Sequence, residues 1–268
     1  MGQIVSHRLH RMRTLFVFLW LALLTGTPSL HAQWRLAGQS EAVVLASGAT
    51  HVRRGVSGPA NVELKLVFFD ATKCDLRIID QPQRSSAGSL GDVMRSDNFI
   101  AGCNAGYFNP EFGPLGLVVS KGTRVGSFQK SSLLGGVIQV RKGRPTLLWR
   151  DEYTEQKGIT ELVQAGPRLV NGGKPVAGLE ATKRRARTFI MTDCAGKWAI
   201  GICDRASLRE LSDILATPAL FPEMEVERAL NFDGGSSTGL WFRQADGKES
   251  YSREFATVRN FLAVMPRR

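Results

Sequence analysis

The stretch Ala229-Leu230-Asn231-Phe232-Asp233-Gly234-Gly235-Ser236-Ser237-Thr238-Gly239-Leu240-Trp241 is the one around which the chain is best read. Apolar residues lead into it as in a buried strand, the pattern breaks at Asp233, two glycines follow, and apolar side chains return from Leu240 to Phe242. A strand that ends in a carboxylate and turns through Gly-Gly into hydroxyls gathers polar groups at a tight corner. Glycine admits positive φ there, or close approach of a ligand to the backbone. The N–H groups of such a corner can cradle an anion or an oxyanion. Taken alone, the stretch is better read as a hairpin turn in which Asp233 caps its own turn. The rest of the chain shifts that balance.

Upstream, Val62 to Asp70 alternates and then becomes apolar throughout, as in a strand buried on both faces, and Leu76 to Asp80 is a second strand. Ser89 with Asp92 three residues on opens a short helix. Phe99 to Pro110 begins as a strand of small and apolar residues and ends in Asn104, the pair Tyr107-Phe108, and Asn109-Pro110. Asn104 and Tyr107 are expected to face a pocket; Asn109 doubles as an ordinary turn residue. Glu111 to Leu117 is a Gly/Pro loop, a candidate wall of that pocket.

Gly136 to Arg141 and Pro145 to Trp149 flank Lys142-Gly143 as a hairpin. In Leu162 to Val170, Gly166-Pro167 implies a bulge or an edge. Arg187 to Asp193 and Lys197 to Cys203 form a hairpin apolar enough to be central, which should make Arg187 and Asp204 near neighbours. Ser207 and Glu210 make a capping box for a helix with Leu208, Leu211, Ile214 and Leu215 on one face. Val258 to Met265 is a final strand containing Asn260. Strands outnumber helices and hairpins recur, so the fold class is α+β, with a large mainly antiparallel sheet and few short helices in a single domain.

The 268 residues begin with a basic segment (Arg8, Arg11, Arg13), a short apolar run from Thr14 to Leu24, and a polar stretch ending at Ala32. This is the layout of a secretory signal peptide over residues 1–32, leaving 33–268 as the working domain outside the cytoplasm, periplasmic or secreted. The apolar run is short for a membrane span, although an uncleaved anchor stays open. Subtracting the three arginines from the net charge of +11 leaves +8, which favours anionic partners. Lys183-Arg184-Arg185 with Arg187 is the main cluster. No nucleic-acid motif is present, and none is expected of an exported chain. Cys74, Cys103, Cys194 and Cys203 allow three disulfide pairings, or free buried thiols. Three of the four histidines lie in the signal region. With only His51 left, a Ser-His-Asp triad or a multi-histidine metal site is disfavoured, and chemistry must rest on carboxylates, hydroxyls, amides and arginines.

Five elements, in order, resemble the phosphodiester glycosidase domain family: Asn104-Ala105-Gly106-Tyr107-Phe108, Pro114-Leu115-Gly116, Gly166-Pro167-Arg168-Leu169-Val170, Ala186-Arg187-Thr188, and Asn231-Phe232-Asp233-Gly234-Gly235-Ser236-Ser237. The resemblance runs from about residue 60 to the C-terminus. Ala105, Ala186 and Ser236 depart from the family's Gly, Pro and Gly. It implies cleavage of the bond between a sugar's anomeric carbon and a phosphodiester oxygen, through a transition state with positive charge on the sugar. The substrate would be a sugar-1-phosphodiester or phosphorylated glycan, such as an envelope polysaccharide or exopolysaccharide, with no cofactor and no metal.

In that scheme Asp233 is general base or nucleophile, Arg187 holds the phosphate, bidentately if geometry allows, and Thr188 beside it binds substrate. Asp204 orients Arg187 or serves as second carboxylate. N–H groups of Gly234, Gly235, Ser236 and Ser237 contact phosphate or sugar oxygens. Asn104 and Asn109 bind sugar hydroxyls, with Tyr107 against the ring. Two other readings fit the same residues: a non-catalytic glycan- or polyanion-binding envelope protein, and a serine hydrolase using Ser236 or Ser237.

Overall fold

The computed structural model describes Trp34–Arg267 together with the first two residues, and the signal-peptide assignment of residues 1–32 lies outside the described residues. Among the described residues every strand pairing is antiparallel, and the two α-helices, Leu90–Arg95 and Leu208–Leu215, are short. The α+β, mainly antiparallel expectation therefore holds. The strands divide over three sheets, of nine, five and five strands.

Alternation of side chains explains how the sheets stack. In the strand Arg185–Thr192, Phe189 and Met191 point to one apolar cluster and Ile190 to another. In Asn61–Asp70, Leu64, Leu66 and Phe68 go one way, Val67 and Phe69 the other. Both strands carry an unbroken apolar run, Leu66–Phe69 and Phe189–Met191, because both faces are covered there. The inner cluster joins all three sheets, through Ile190 and Leu230, Ile138 and Val163, and Cys103 and Leu262. The outer cluster takes the helix Leu208–Leu215, which seats Leu211, Ile214 and Leu215. The helix Leu90–Arg95 covers the third sheet with Leu90 and Met94 against Trp241 and Phe261. Both helices start with the capping boxes expected, Ser89 with Asp92 and Ser207 with Glu210.

Two turns differ from expectation in the same way. The strand Arg228–Asn231 pairs within the nine-stranded sheet, whereas Leu240–Arg243 pairs with Ala101–Asn104 and Glu249–Ser252 in another. The Asp233 corner is thus a crossing between sheets and not a hairpin. Likewise the strand before Gly166-Pro167, Ile159–Ala165, belongs to a five-stranded sheet, and the strand after it, Arg168–Asn171, to the nine-stranded one. Glycine is required at both crossings. A Cβ on Gly166 would lie 2.3 Å from the Leu133 carbonyl oxygen, and one on Gly234 would lie 2.9 Å from that of Ala186.

The four cysteines are unpaired. Cys74 and Cys103 sit in the inner cluster and Cys203 in the outer one, on opposite sides of the large sheet, while Cys194 is exposed in a hairpin turn. Burial raises the thiols of Cys74 to about 11 and of Cys203 to about 12. Titration of the native protein with a thiol reagent should therefore modify Cys194 alone. After unfolding, all four should react whether or not reductant is added; a need for reductant would reveal a disulfide.

Candidate active site

The five sequence elements meet at one place. Asn104 ends the strand Ala101–Asn104 and is 0% exposed. Its Nδ2 donates to the Asp233 carbonyl at 2.7 Å. Its Oδ1 accepts from the Thr188 hydroxyl at 2.7 Å and from the Gly239 N–H at 3.1 Å. One amide therefore holds both ends of the Asp233 corner and ties them to the strand that carries Arg187. The next residue, Ala105, accepts the Asp233 N–H at 2.9 Å. Asn104 and Thr188 are accordingly interior positioning groups, and the expectation that Asn104 binds sugar hydroxyls is corrected: its amide is already engaged and buried.

Tyr107 is next in the network. Its hydroxyl donates to the Gly166 carbonyl at 2.6 Å and accepts from Asn231 Nδ2 at 2.9 Å, and its carbonyl accepts the Leu115 N–H at 2.9 Å. Burial, with the charge of Asp233 nearby, pushes the phenol well above its ordinary range, so it stays protonated. Asn109 only closes its own loop, with Oδ1 accepting the Gly113 N–H at 2.7 Å, so the turn reading of that residue is the correct one.

Asp233 is half-buried. Burial raises its pKa; the Ser237 hydroxyl and the Gly234 N–H, 2.9 Å from Oδ1, pull the other way, and no cation offsets the burial. Beyond it the corner has two free donors. Among the described residues, the Gly235 and Ser236 N–H groups have no partner, whereas those of Ser237, Thr238 and Gly239 are bonded. Ser236 is exposed and Ser237 buried. The serine-hydrolase alternative lacks a base: His51 stacks on Phe242 at 4.0 Å between ring centres, and burial lowers its pKa to about 4.

Arg187 lies against the Gly234 end of the corner, where a Cβ would come 3.7 Å from its Cδ. Its Nε donates to the Ala206 carbonyl at 3.0 Å and Nη2 to the Lys183 carbonyl at 2.7 Å, with Glu180 3.9 Å away. Nη1 has no partner among the described residues. Two backbone carbonyls thus fix the guanidinium and leave one nitrogen for an anion. Asp204 is not brought to it. Arg187 pairs with Cys203, a register shift follows, and the Asp204 carboxylate turns to the Glu63 and Arg205 N–H groups at 2.9 and 2.7 Å. With Arg187 in register with Cys203, the pleat sends the next residue, Asp204, to the opposite face, and this undoes the expected pair.

Asn231 and Asn260 were quoted in the sequence without a role. Asn231 links Tyr107 to Gly166, and Asn260 Oδ1 accepts the Gly106 N–H at 2.7 Å. Their signal was an amide inside an otherwise apolar strand. The three departures from the family pattern contribute backbone here: the Ala105 carbonyl takes the Asp233 N–H, the Ala186 carbonyl faces Gly234, and the Ser236 carbonyl takes the N–H groups of Phe255 and Ala256. A cavity of about 410 Å³ is lined by Leu133, Pro167, Arg168, Leu179 and Glu180, among others, but not by Asp233, Arg187, Asn104 or Tyr107. Larger cavities of about 880 and 690 Å³ are likewise lined by none of these four, so the site is marked by its residues and not by a cavity.

A family model described as phosphodiester glycosidase matches residues 97–265, a span that contains all five elements. No curated protein matches the chain. The fold is similar to the catalytic domain of zebrafish N-acetylglucosamine-1-phosphodiester alpha-N-acetylglucosaminidase, auto-inhibited by its pro-peptide, with a TM-score of 0.58 and 16% identity over 91% of this chain and 85% of that one. A hypothetical protein from Synechocystis gives a TM-score of 0.61 at 17% identity, over 82% of this chain and 62% of that one. A putative exported protein from Burkholderia pseudomallei gives 0.50 at 13%, over 82% and 75%. At such identities the likeness is one of fold.

Replacing Asn104 by Ala strands a buried carbonyl, hydroxyl and N–H together. The expected cost is about 3–5 kcal/mol of stability, at roughly 1–3 kcal/mol for each orphaned group. Urea unfolding of Asn104→Ala beside wild type measures it, and a loss under 1 kcal/mol would show that the amide is not what holds the corner.

Proposed function

The chain belongs to the phosphodiester glycosidase family, and on that footing we propose that it hydrolyses the bond between a sugar's anomeric carbon and a phosphodiester oxygen. The observation that carries the proposal is the convergence of five separate sequence elements on one half-buried carboxylate. Convergence of this kind, around a titratable group whose pKa is shifted by burial, is the usual signature of a site under chemical constraint.

Asp233 serves as nucleophile or general base at the anomeric carbon. Positive charge developing on the sugar is stabilised by that carboxylate, which no cation neutralises. The leaving group is a phosphate monoester, which departs without a strong general acid. Arg187 Nη1 receives the phosphate, and the Gly235 and Ser236 N–H groups receive phosphate or sugar oxygens. Two carbonyls already hold the guanidinium, so contact through a single nitrogen replaces the bidentate clamp. Tyr107, held protonated, lines the site.

The basic, then apolar, then polar N-terminal segment supports an exported protein whose working part begins near residue 33, and the Burkholderia neighbour is itself described as putatively exported. The net positive charge suits a phosphorylated glycan of the envelope or exopolysaccharide.

Release of reducing sugar from a panel of hexose and hexosamine 1-phosphodiesters tests the proposal. Asp233→Asn should lose at least about a hundredfold in kcat, and Arg187→Ala about tenfold or more in kcat/KM. Glycan binding with no turnover on any substrate would sink the proposal in favour of a binding protein. The ionised carboxylate is the working form, so kcat/KM should fall as pH falls through the raised pKa of Asp233, an acid limb above the ordinary carboxylate range.

The same shift has a stability consequence. A carboxyl whose folded pKa is raised favours the fold below its unfolded pKa, and that contribution is lost as pH rises through the folded value. Asp233→Asn should therefore melt higher than wild type at pH 7. The gap should close near pH 3, as measured by thermal unfolding at both pH values.

A further inference from the structure

Phe255 is 93% exposed, the most exposed large apolar side chain from residue 34 onward. Its backbone is nonetheless clamped. Glu254, 6% exposed, accepts from the Leu90 N–H at 2.7 Å and from the Tyr251 hydroxyl at 2.6 Å. Gly239 packs against the same carboxylate, where a Cβ would come 2.9 Å from Oε2. The N–H groups of Phe255 and Ala256 both donate to the Ser236 carbonyl, at 2.8 and 2.9 Å. Val258 is buried at the far end. A segment fixed at so many points holds an aromatic ring out in water. Two of the anchors, Ser236 and Gly239, belong to the Asp233 corner, so the ring is held in register with the carboxylate.

The corner has a direction. Its Gly234 end lies against Arg187, and its Ser236 end against Phe255. The Asp233 carboxylate is bonded back into this turn by the Gly234 N–H and the Ser237 hydroxyl, so it shares the turn with the arginine at Gly234 and with the backbone of the exposed aromatic at Ser236. We propose that Phe255 is the stacking platform for the sugar ring on the glycone side of the scissile bond, an assignment that rests on the glycosidase reading of Asp233. The apolar C–H face of a pyranose would lie on the ring, and its hydroxyls would reach the polar groups around it. Its neighbours Arg253 and Thr257 in the chain and Ser236 across the backbone bond are exposed and polar, and among the described residues no other exposed large apolar side chain lies within this segment, whereas a lipid chain or an amphipathic helix needs a wider apolar face. One aromatic face ringed by polar groups fits one sugar.

Phe255→Ala and Phe255→Tyr in the full chain test this on the 1-phosphodiester panel. The alanine variant should raise KM about three- to tenfold with kcat within about twofold, the effect of losing roughly half the transfer free energy of a Phe side chain. The rise should follow the sugar and not the alcohol on the phosphate, and Phe255→Tyr should restore it. Melting should be unaltered, because the ring packs against nothing in the fold. An unchanged KM, or a rise that tracks the alcohol, would overturn the platform while leaving hydrolysis intact. If no substrate turns over, calorimetric titration with free hexosamine oligosaccharides separates the two ideas. Binding weakened by Phe255→Ala keeps the platform and removes the hydrolase; binding indifferent to it, or no binding, removes the platform.

Discussion

A fully buried primary amide is the constraint on which the candidate site depends. Asn104 has no exposure, so each of its bonds must be made within the protein or remain unmade. It uses them to join the end of a strand in one sheet, the Thr188 hydroxyl in another, and both limbs of the loop that crosses between them. Apolar packing brings the three sheets together but does not say to a tenth of an ångström where a carboxylate should stand. The amide and its neighbours Asn231 and Asn260 supply that precision through direction-dependent bonds. They also keep the loop in place although its own glycines favour no particular conformation.

The architecture was legible where a pattern has a local cause. The capping boxes at Ser89 and Ser207, the hairpin at Lys142-Gly143 and the all-apolar central strands appear as read, because caps, turns and two-sided burial leave marks within a few residues. The elements of the site were legible as a set, but several roles were not. Asn104 looks the same in a one-letter string whether it faces sugar or interior, and only its partners 84 and 129 residues away decide. Asp204 was misplaced because the pairing of Arg187 with Cys203, which sets the face, does not show in the string. The crossing at Asp233 was read as a hairpin turn and the one at Gly166 as a bulge or an edge, since a turn does not record whether the next strand joins the same sheet. Phe255 carried no sequence signal at all: an isolated aromatic in a polar loop is indistinguishable from one that folds inward.

Asp233 illustrates a conflict between folding and chemistry. Burying a carboxylate without a cation is unfavourable, and a nearby arginine would remedy it at once. On the proposed reading, such a partner would also quench the negative charge that stabilises a cationic sugar. Arg187 is close enough to share the corner but is secured to the carbonyls of Lys183 and Ala206, with Glu180 3.9 Å away, so its bonds are directed to those groups and not to Asp233.

The bonds that assemble this corner span 59, 84 and 129 residues of chain. Contacts of such separation form only after most of the loop-closure entropy has been spent, so they belong to the late part of folding. No partial structure, hairpin or isolated sheet can hold the carboxylate, the arginine and the phenol together. The site therefore comes into being as a whole with the last sheet to dock. A molecule that bound Asp233, Arg187 and Tyr107 together would stabilise the fold that assembles them rather than one element of it.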